Sequence, residues 1–489
     1  MISKKQRKKK SYSSRAAKQR GAKQVENSKS LQSVLNWFLL SDSIFADCKF
    51  HGNVNWSPNQ LVAQALYWSW QETKNVTTAF NHCVEVCAEL GASEIAKTYP
   101  TFMNALQRYQ ACMGSCLDQR FRTLAEQVGG RFWRDDDWVL MGFDGSRASA
   151  PRTVSNEKAF CAANHGQGKT AKYRKKKSKG MRRQQNEKNK PAPPKPQVWI
   201  TMFWHMGLRL PWCWRLGPSN SSERAHVTDM LGQEEMPENT LYCGDAGFVG
   251  YPLWSSILAA GGNFLVRVGG NVSLLKERVD FRRDKDGIVW CWPKDKMNSG
   301  APPLKLRLVK VKLGKTVMWM LTSVLSRQKL SAKRIVKYYK MRWGIEVEFR
   351  GLKQTLDHGK LQCRNSARVL VELDWSIRGL AVAKLLALRE QIGAEEESQE
   401  DYTPDVLSVA NTIQALRDCM RNAHKVPPSG QELPDRLAAA LIQQYHARTD
   451  KKARYRPANP DKKPLGNPVI RKLTKELTAK LSQFGQIAA

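Results

Sequence analysis

Tyr338-Tyr339-Lys340-Met341-Arg342-Trp343-Gly344-Ile345-Glu346-Val347-Glu348-Phe349-Arg350-Gly351-Leu352-Lys353 is the stretch from which the organisation of this chain is best worked outward. Wound as one α-helix at about 100° per residue, it sets Tyr339, Arg342, Glu346 and Lys353 within roughly 60° of one another. Met341, Ile345, Phe349, Leu352 and Leu356 fall on the adjoining arc, and Trp343 with Val347 border the stripe on its other side. A helix bathed in water has no reason to hold a carboxylate and two cations between apolar flanks, so the face is read as half-buried. Such a face is either a structural ion pair or a site.

Two further carboxylates stand upstream, each after a short apolar run. Residues 138–143 end in Asp144-Gly145-Ser146-Arg147, and residues 241–244 end in Asp245-Ala246-Gly247-Phe248. Both are read as a buried strand broken by Asp and Gly. Taken singly, either aspartate is ordinary turn chemistry.

Together, the spacing of Tyr339, Arg342, Glu346 and Lys353 and the order Asp144, Asp245, Glu346 resemble the Tyr-Arg-Glu-Lys signature of DDE insertion-sequence transposases, the insertion sequence 4 type. Residues 241–268 resemble that family's second-aspartate block. The resemblance covers about residues 138–388 and implies an α/β fold: an RNase H-like mixed five-stranded sheet flanked by helices, with a β-rich insertion before the catalytic helix. It implies that Asp144, Asp245 and Glu346 are catalytic and hold two Mg²⁺ ions, with Mn²⁺ able to substitute. Tyr339, Arg342 and Lys353 would then contact DNA phosphate, where a planar guanidinium suits bidentate contact. The chemistry agrees with the acid count. Three clustered carboxylates raise one another's pKa unless a cation joins them, and two divalent ions about 4 Å apart stabilise both attacking and leaving oxygens of a phosphodiester.

The implied activity is cut-and-paste transposition on double-stranded DNA, element ends and target alike, by a homodimer in the synaptic complex. Two alternatives stay open: an RNase H-like nuclease without strand transfer, and a catalytically inactive DNA-binding protein derived from an element.

Composition speaks to the partner. Eighty Lys and Arg against forty-four Asp and Glu leave a formal net charge of +36 in 489 residues, which points to a polyanion. Charge alone would fit an RNA-binding protein equally well. The eleven cysteines are scattered, and Cys83/Cys87 and Cys112/Cys116 stand four apart, a spacing that reads as buried helix faces rather than zinc. Reduced thiols and a cytoplasmic, nucleoid-associated location are expected. Residues 198–214 are interrupted by His205, Arg209 and Pro211 and read as a strand hairpin, not a membrane span. Residues 163–170 nearly spell a phosphate-binding loop, but no apolar strand precedes them and basic residues follow, so ATP use is not expected.

Along the chain, residues 1–30 read as a disordered basic arm and 31–130 as a helical domain able to bind DNA. The core's first part spans 131–268 and contains a basic loop, 150–197, whose residues 169–196 are read as a clamp on DNA backbone. A β-strand insertion, 269–325, follows, in which Trp290 or Trp292 either holds a flipped base, as aromatics do in relatives, or packs across strands. Residues 326–395 complete the core, and 396–489 form a helical and basic C-terminal region.

Overall fold

The computed structural model describes residues 25–39, 42–73, 75–161, 195–277, 285–314, 316–398, 402–442 and 465–484. The basic arm up to residue 24, the phosphate-loop look-alike and residues 162–194 of the basic loop lie outside these residues.

The N-terminal part is helical: α1 Asn27–Leu39, α2 Pro58–Trp70, α3 Val76–Glu89 and the long α4 Tyr99–Gly129. Local chemistry starts them where it should. Ser57, Asn75 and Thr98 cap α2, α3 and α4 by accepting backbone N–H groups, and α2 and α4 carry Pro in the first turn, where its missing N–H costs nothing. Cys83 and Cys87 are buried on α3 as their spacing predicts. Cys48 and Cys112 lie side by side, with Cα atoms 5.8 Å apart.

The core follows in the order β1 Val139–Ser149, α5 Val154–Phe160, β2 Gln197–His205, β3 Leu210–Gly217, α6 Glu223–Gln233, β4 Thr240–Gly244, α7 Tyr251–Ala259 and β5 Asn263–Val268. The insertion supplies β6 Ser273–Lys276, β7 Asp286–Cys291, β8 Leu304–Leu313 and β9 Thr316–Thr322. Helices α8 Ala332–Met341, α9 Gly344–Arg350, α10 Ser366–Ser398, α11 Val409–Arg421 and α12 Leu433–Ala438 come next, then β10 Val469–Lys472 and α13 Lys475–Gln483.

The ten strands of the described residues form one mixed sheet, β10-β6-β7-β8-β9-β5-β4-β1-β2-β3, where a five-stranded sheet with a separate insertion was expected. The reason is an edge. Strand β5 would offer unpaired backbone groups, and β9 takes them antiparallel from Leu265↔Thr322 to Val268↔Trp319. At the far end β10, from the stretch read as a basic tail, pairs parallel with β6. Residues 154–160, read as loop, are helical with Thr153 as cap.

Trp290 and Trp292 are buried with Leu275, Leu473 and Leu481 in a satellite core under α13. They pack, as the blander of the two sequence readings has it. The helical N-terminal part is locked to α10: Trp70 Nε1 donates to Gly379 O at 2.8 Å, and Arg378 pairs with both Asp118 and Asp374. Among the described residues, no helix is long and apolar enough to cross a membrane.

Candidate active site

Strands β1 and β4 run parallel, with Gly142↔Cys243 as their last pair. Two residues beyond that pair on each strand stand Asp144 and Asp245, so the register brings two carboxylates side by side where the pairing ends. Gly244 makes this possible, because a Cβ there would lie 2.5 Å from the ring of Phe143. Contrary to the sequence reading, β1 does not break at Asp144. It runs on to Ser149 because β2 keeps pairing through Ser149↔Gln197 after β4 has ended.

Alternation along β1 puts Gly142, Asp144 and Ser146 on one face, and the quoted stretch lies over it. A Cβ at Gly142 would sit 3.8 Å from Arg342 Cγ, Arg342 Nη1 lies 3.3 Å from Asp144 Oδ2, and Lys353 Nζ donates to Ser146 Oγ at 2.6 Å. The Arg342 guanidinium is nearly buried, 5.4 Å from the ring centre of Tyr339 and 5.3 Å from that of Trp343, and its Nε has no hydrogen-bond partner. Tyr339 itself is buried at 3% exposure. Glu346 is exposed.

The stretch is not one continuous helix. Ile345 N and Glu346 N bond three residues back, to Arg342 O and Trp343 O, which tightens the chain between α8 and α9. Residues Gly351–Thr355 then widen into a π turn. The tight passage follows from packing: Gly344 lies on the indole of Trp204, where a Cβ would be 2.1 Å from the ring. Trp343 and Val347, read as half-buried borders, stand 49% and 42% exposed.

Burial pushes the Asp144 carboxyl up; the Gly145 N–H and Arg342 pull it down, while Asp245 and Glu346 push it up again. Asp245 and Glu346 are thus both near enough to act electrostatically on Asp144. Burial lowers the Lys353 ammonium. Asp245 Oδ1 accepts from Gly247 N at 2.7 Å, the Asx turn that bends the chain away after β4.

A fourth carboxylate escaped the sequence reading. Glu223, first residue of α6, presses its side chain against Gly145, where a Cβ would meet Oε1 at 2.1 Å. Burial raises its pKa first, then the charges of Asp144 and Asp245. The available signal was Gly145 itself, since glycine inside a strand marks close approach by another group.

Among the described residues, no three His, Cys, Asp or Glu side chains are gathered closely enough to hold a metal ion. Asp144 and Asp245 are instead turned onto backbone N–H donors and, for Asp144, onto Arg342. The donor chemistry nonetheless fits a hard divalent cation: all-oxygen, anionic and mutually repelling.

Residues 144–378, a little under half the chain, match the family model described as Transposase DDE domain. That span contains all six residues singled out from the sequence. No curated protein matches the chain. One solved chain similar to it comes from the cryo-EM structure of a piggyBac transposase synaptic complex with hairpin DNA. The identity is 10% over 86% of this chain and 84% of that one, at a TM-score of 0.37, too distant a likeness to carry an argument.

Proposed function

We propose that the chain is a DNA transposase of the DDE type that cuts at the ends of an insertion sequence and joins the freed 3′ hydroxyls to target DNA. The observation that carries the proposal is the register-built pair Asp144 and Asp245, with Arg342 paired to Asp144, inside the span similar to the transposase DDE domain. The strand order β3-β2-β1-β4-β5, with β2 alone reversed between its parallel-running relatives β1 and β4 and the outer β3, supports an RNase H-like core.

In this reading Asp144, Asp245 and Glu346 would hold two Mg²⁺ ions, or Mn²⁺ in their place, which when bound stabilise charge on attacking and leaving oxygens. Arg342 would be the phosphate contact beside the aspartates: its guanidinium is nearly buried, lies beside the Tyr339 and Trp343 rings and reaches Asp144 through Nη1. Lys353 offers a second cation along the same line. The excess of basic residues supplies the sequence-independent attraction to double-stranded DNA. Two ends need cutting, so a homodimer is the assembly proposed.

The test uses a plasmid carrying the inverted repeats that flank the reading frame. Wild-type protein with Mg²⁺ should release the element and give strand-transfer product. Glu346→Gln should bind the repeats equally well and cut with neither Mg²⁺ nor Mn²⁺. Cutting without joined product would favour a plain nuclease. Cutting by the Gln variant at the wild-type rate would remove Glu346 from the site.

A further inference from the structure

We propose that Glu348, two residues beyond Glu346, is a positioning residue: with Lys384 and Trp204 it sets the roll of α9 and so the direction in which Glu346 faces. The inference rests on the reading of Glu346 as part of the active site.

Helix α9 is only seven residues long, with a tightened passage before it and a π turn after it. So short a helix has almost no stability of its own, and its orientation is decided by what it is tied to. Its outer face carries Trp343, Glu346, Val347 and Arg350, all exposed; its inner face carries Gly344, Ile345, Glu348 and Phe349, all buried. At about 100° per residue Glu348 points some 200° away from Glu346. Holding one inward therefore holds the other outward.

The inward anchor is unusually polar. Glu348 and Lys384, 2% and 3% exposed, form an ion pair inside the core. Trp204 Nε1 donates to Glu348 Oε2 at 3.3 Å, and Lys384 Nζ donates also to Arg209 O, so the network ties α9 to β2, to the β2–β3 turn and to α10. The indole that donates to Glu348 is the one on which Gly344 lies. Gly344 and Glu348, one turn apart, thus clamp α9 to a single tryptophan.

A buried ion pair is a poor way to gain stability, because desolvation cancels most of its attraction and well-packed apolar residues often do as well. What an ion pair adds over apolar packing is direction. Leucine-like side chains would let so short a helix roll; the carboxylate between an ammonium and an indole N–H does not.

The test compares wild type, Glu348→Gln and the double variant Glu348→Met with Lys384→Met, alongside Glu346→Gln. The single variant leaves Lys384 buried without its partner and is expected to lose stability. The double variant should melt near the wild-type temperature and bind element ends with unchanged affinity. Its cutting rate under saturating DNA should nevertheless fall by about 100-fold, the scale of a 1 Å misplacement. Hydrogen exchange provides the readout that needs no activity: amides of residues 344–350 should exchange faster in the double variant, with the rest of the core unchanged. Unchanged exchange in that helix, or cutting at the wild-type rate, overturns the proposal. If wild type and Glu346→Gln behave alike in every DNA assay, it is the assignment of the active site that fails, and exchange alone then decides whether Glu348 orients the helix.

Discussion

Replacing Gly344 with alanine tests how closely the site depends on one packing contact. The new Cβ would sit 2.1 Å from the Trp204 ring. Ordinary carbon contacts begin near 3.5 Å, so about 1.4 Å of movement is required. Trp204 cannot supply it, being 1% exposed and tied through Nε1 to Glu348. Helix α9 must move instead, taking Glu346 with it. Overpacking of this kind costs about 1–3 kcal/mol, and alanine recovers about 1 kcal/mol of helix propensity over glycine. Net destabilisation should therefore be about 0–2 kcal/mol, a small downward shift in melting temperature. The catalytic loss should be far larger, about 100-fold for a shift of roughly 1 Å. Thermal melts and single-turnover cutting of a DNA fragment bearing one element end measure the two separately. A variant that cuts at the wild-type rate, or whose lost cutting merely follows lost folded protein, would refute the reasoning.

Other outcomes follow from the same geometry. Glu223→Gln should raise the melting temperature at neutral pH: the folded-state pKa of Glu223 lies above its usual value, so its ionised form opposes folding. That gain should fade as pH falls through the raised pKa and vanish below the ordinary carboxylate range, where both states are protonated; a pH series of melts with no such convergence would contradict it. Affinity for element ends should fall steeply with salt, and Lys353→Met should reduce the slope of log affinity against log salt by about 1 if Lys353 meets a phosphate. An unchanged slope would leave Lys353 with Ser146 alone. Trp292→Ala should cost about 3–5 kcal/mol, as buried tryptophans do, and expose residues 465–484 to protease, since Trp292 donates to Ala301 O and packs on Phe484. Lost cutting with an unaltered melt would point to a DNA contact instead.

Much of the fold could be read from the chain, because local pattern and local chemistry carry it. The strand runs that became β2, β5, β8 and β9 alternate or stay apolar over the right lengths, and Ser222 caps α6 by accepting from Ala225 N. Asp144, Asp245 and Glu346 could be singled out as candidates from their surroundings and spacing, and the register of β1 and β4 brings the first two side by side. What lay beyond reach was every relation set by a distant partner. That β1 would run past Asp144 depended on β2 outlasting β4. That the insertion would extend the same sheet depended on the open edge of β5. That residues 338–353 would tighten and then widen, rather than form one helix, depended on the indole of Trp204, and Glu223 could join the other acids only because Gly145 leaves room. Sequence by itself determined which residue types this protein would bring to bear, through short-range periodicity and turn chemistry. Their mutual orientation was decided by tertiary structure, because register, edges and clashes belong to pairs of segments and have no signature in either one alone.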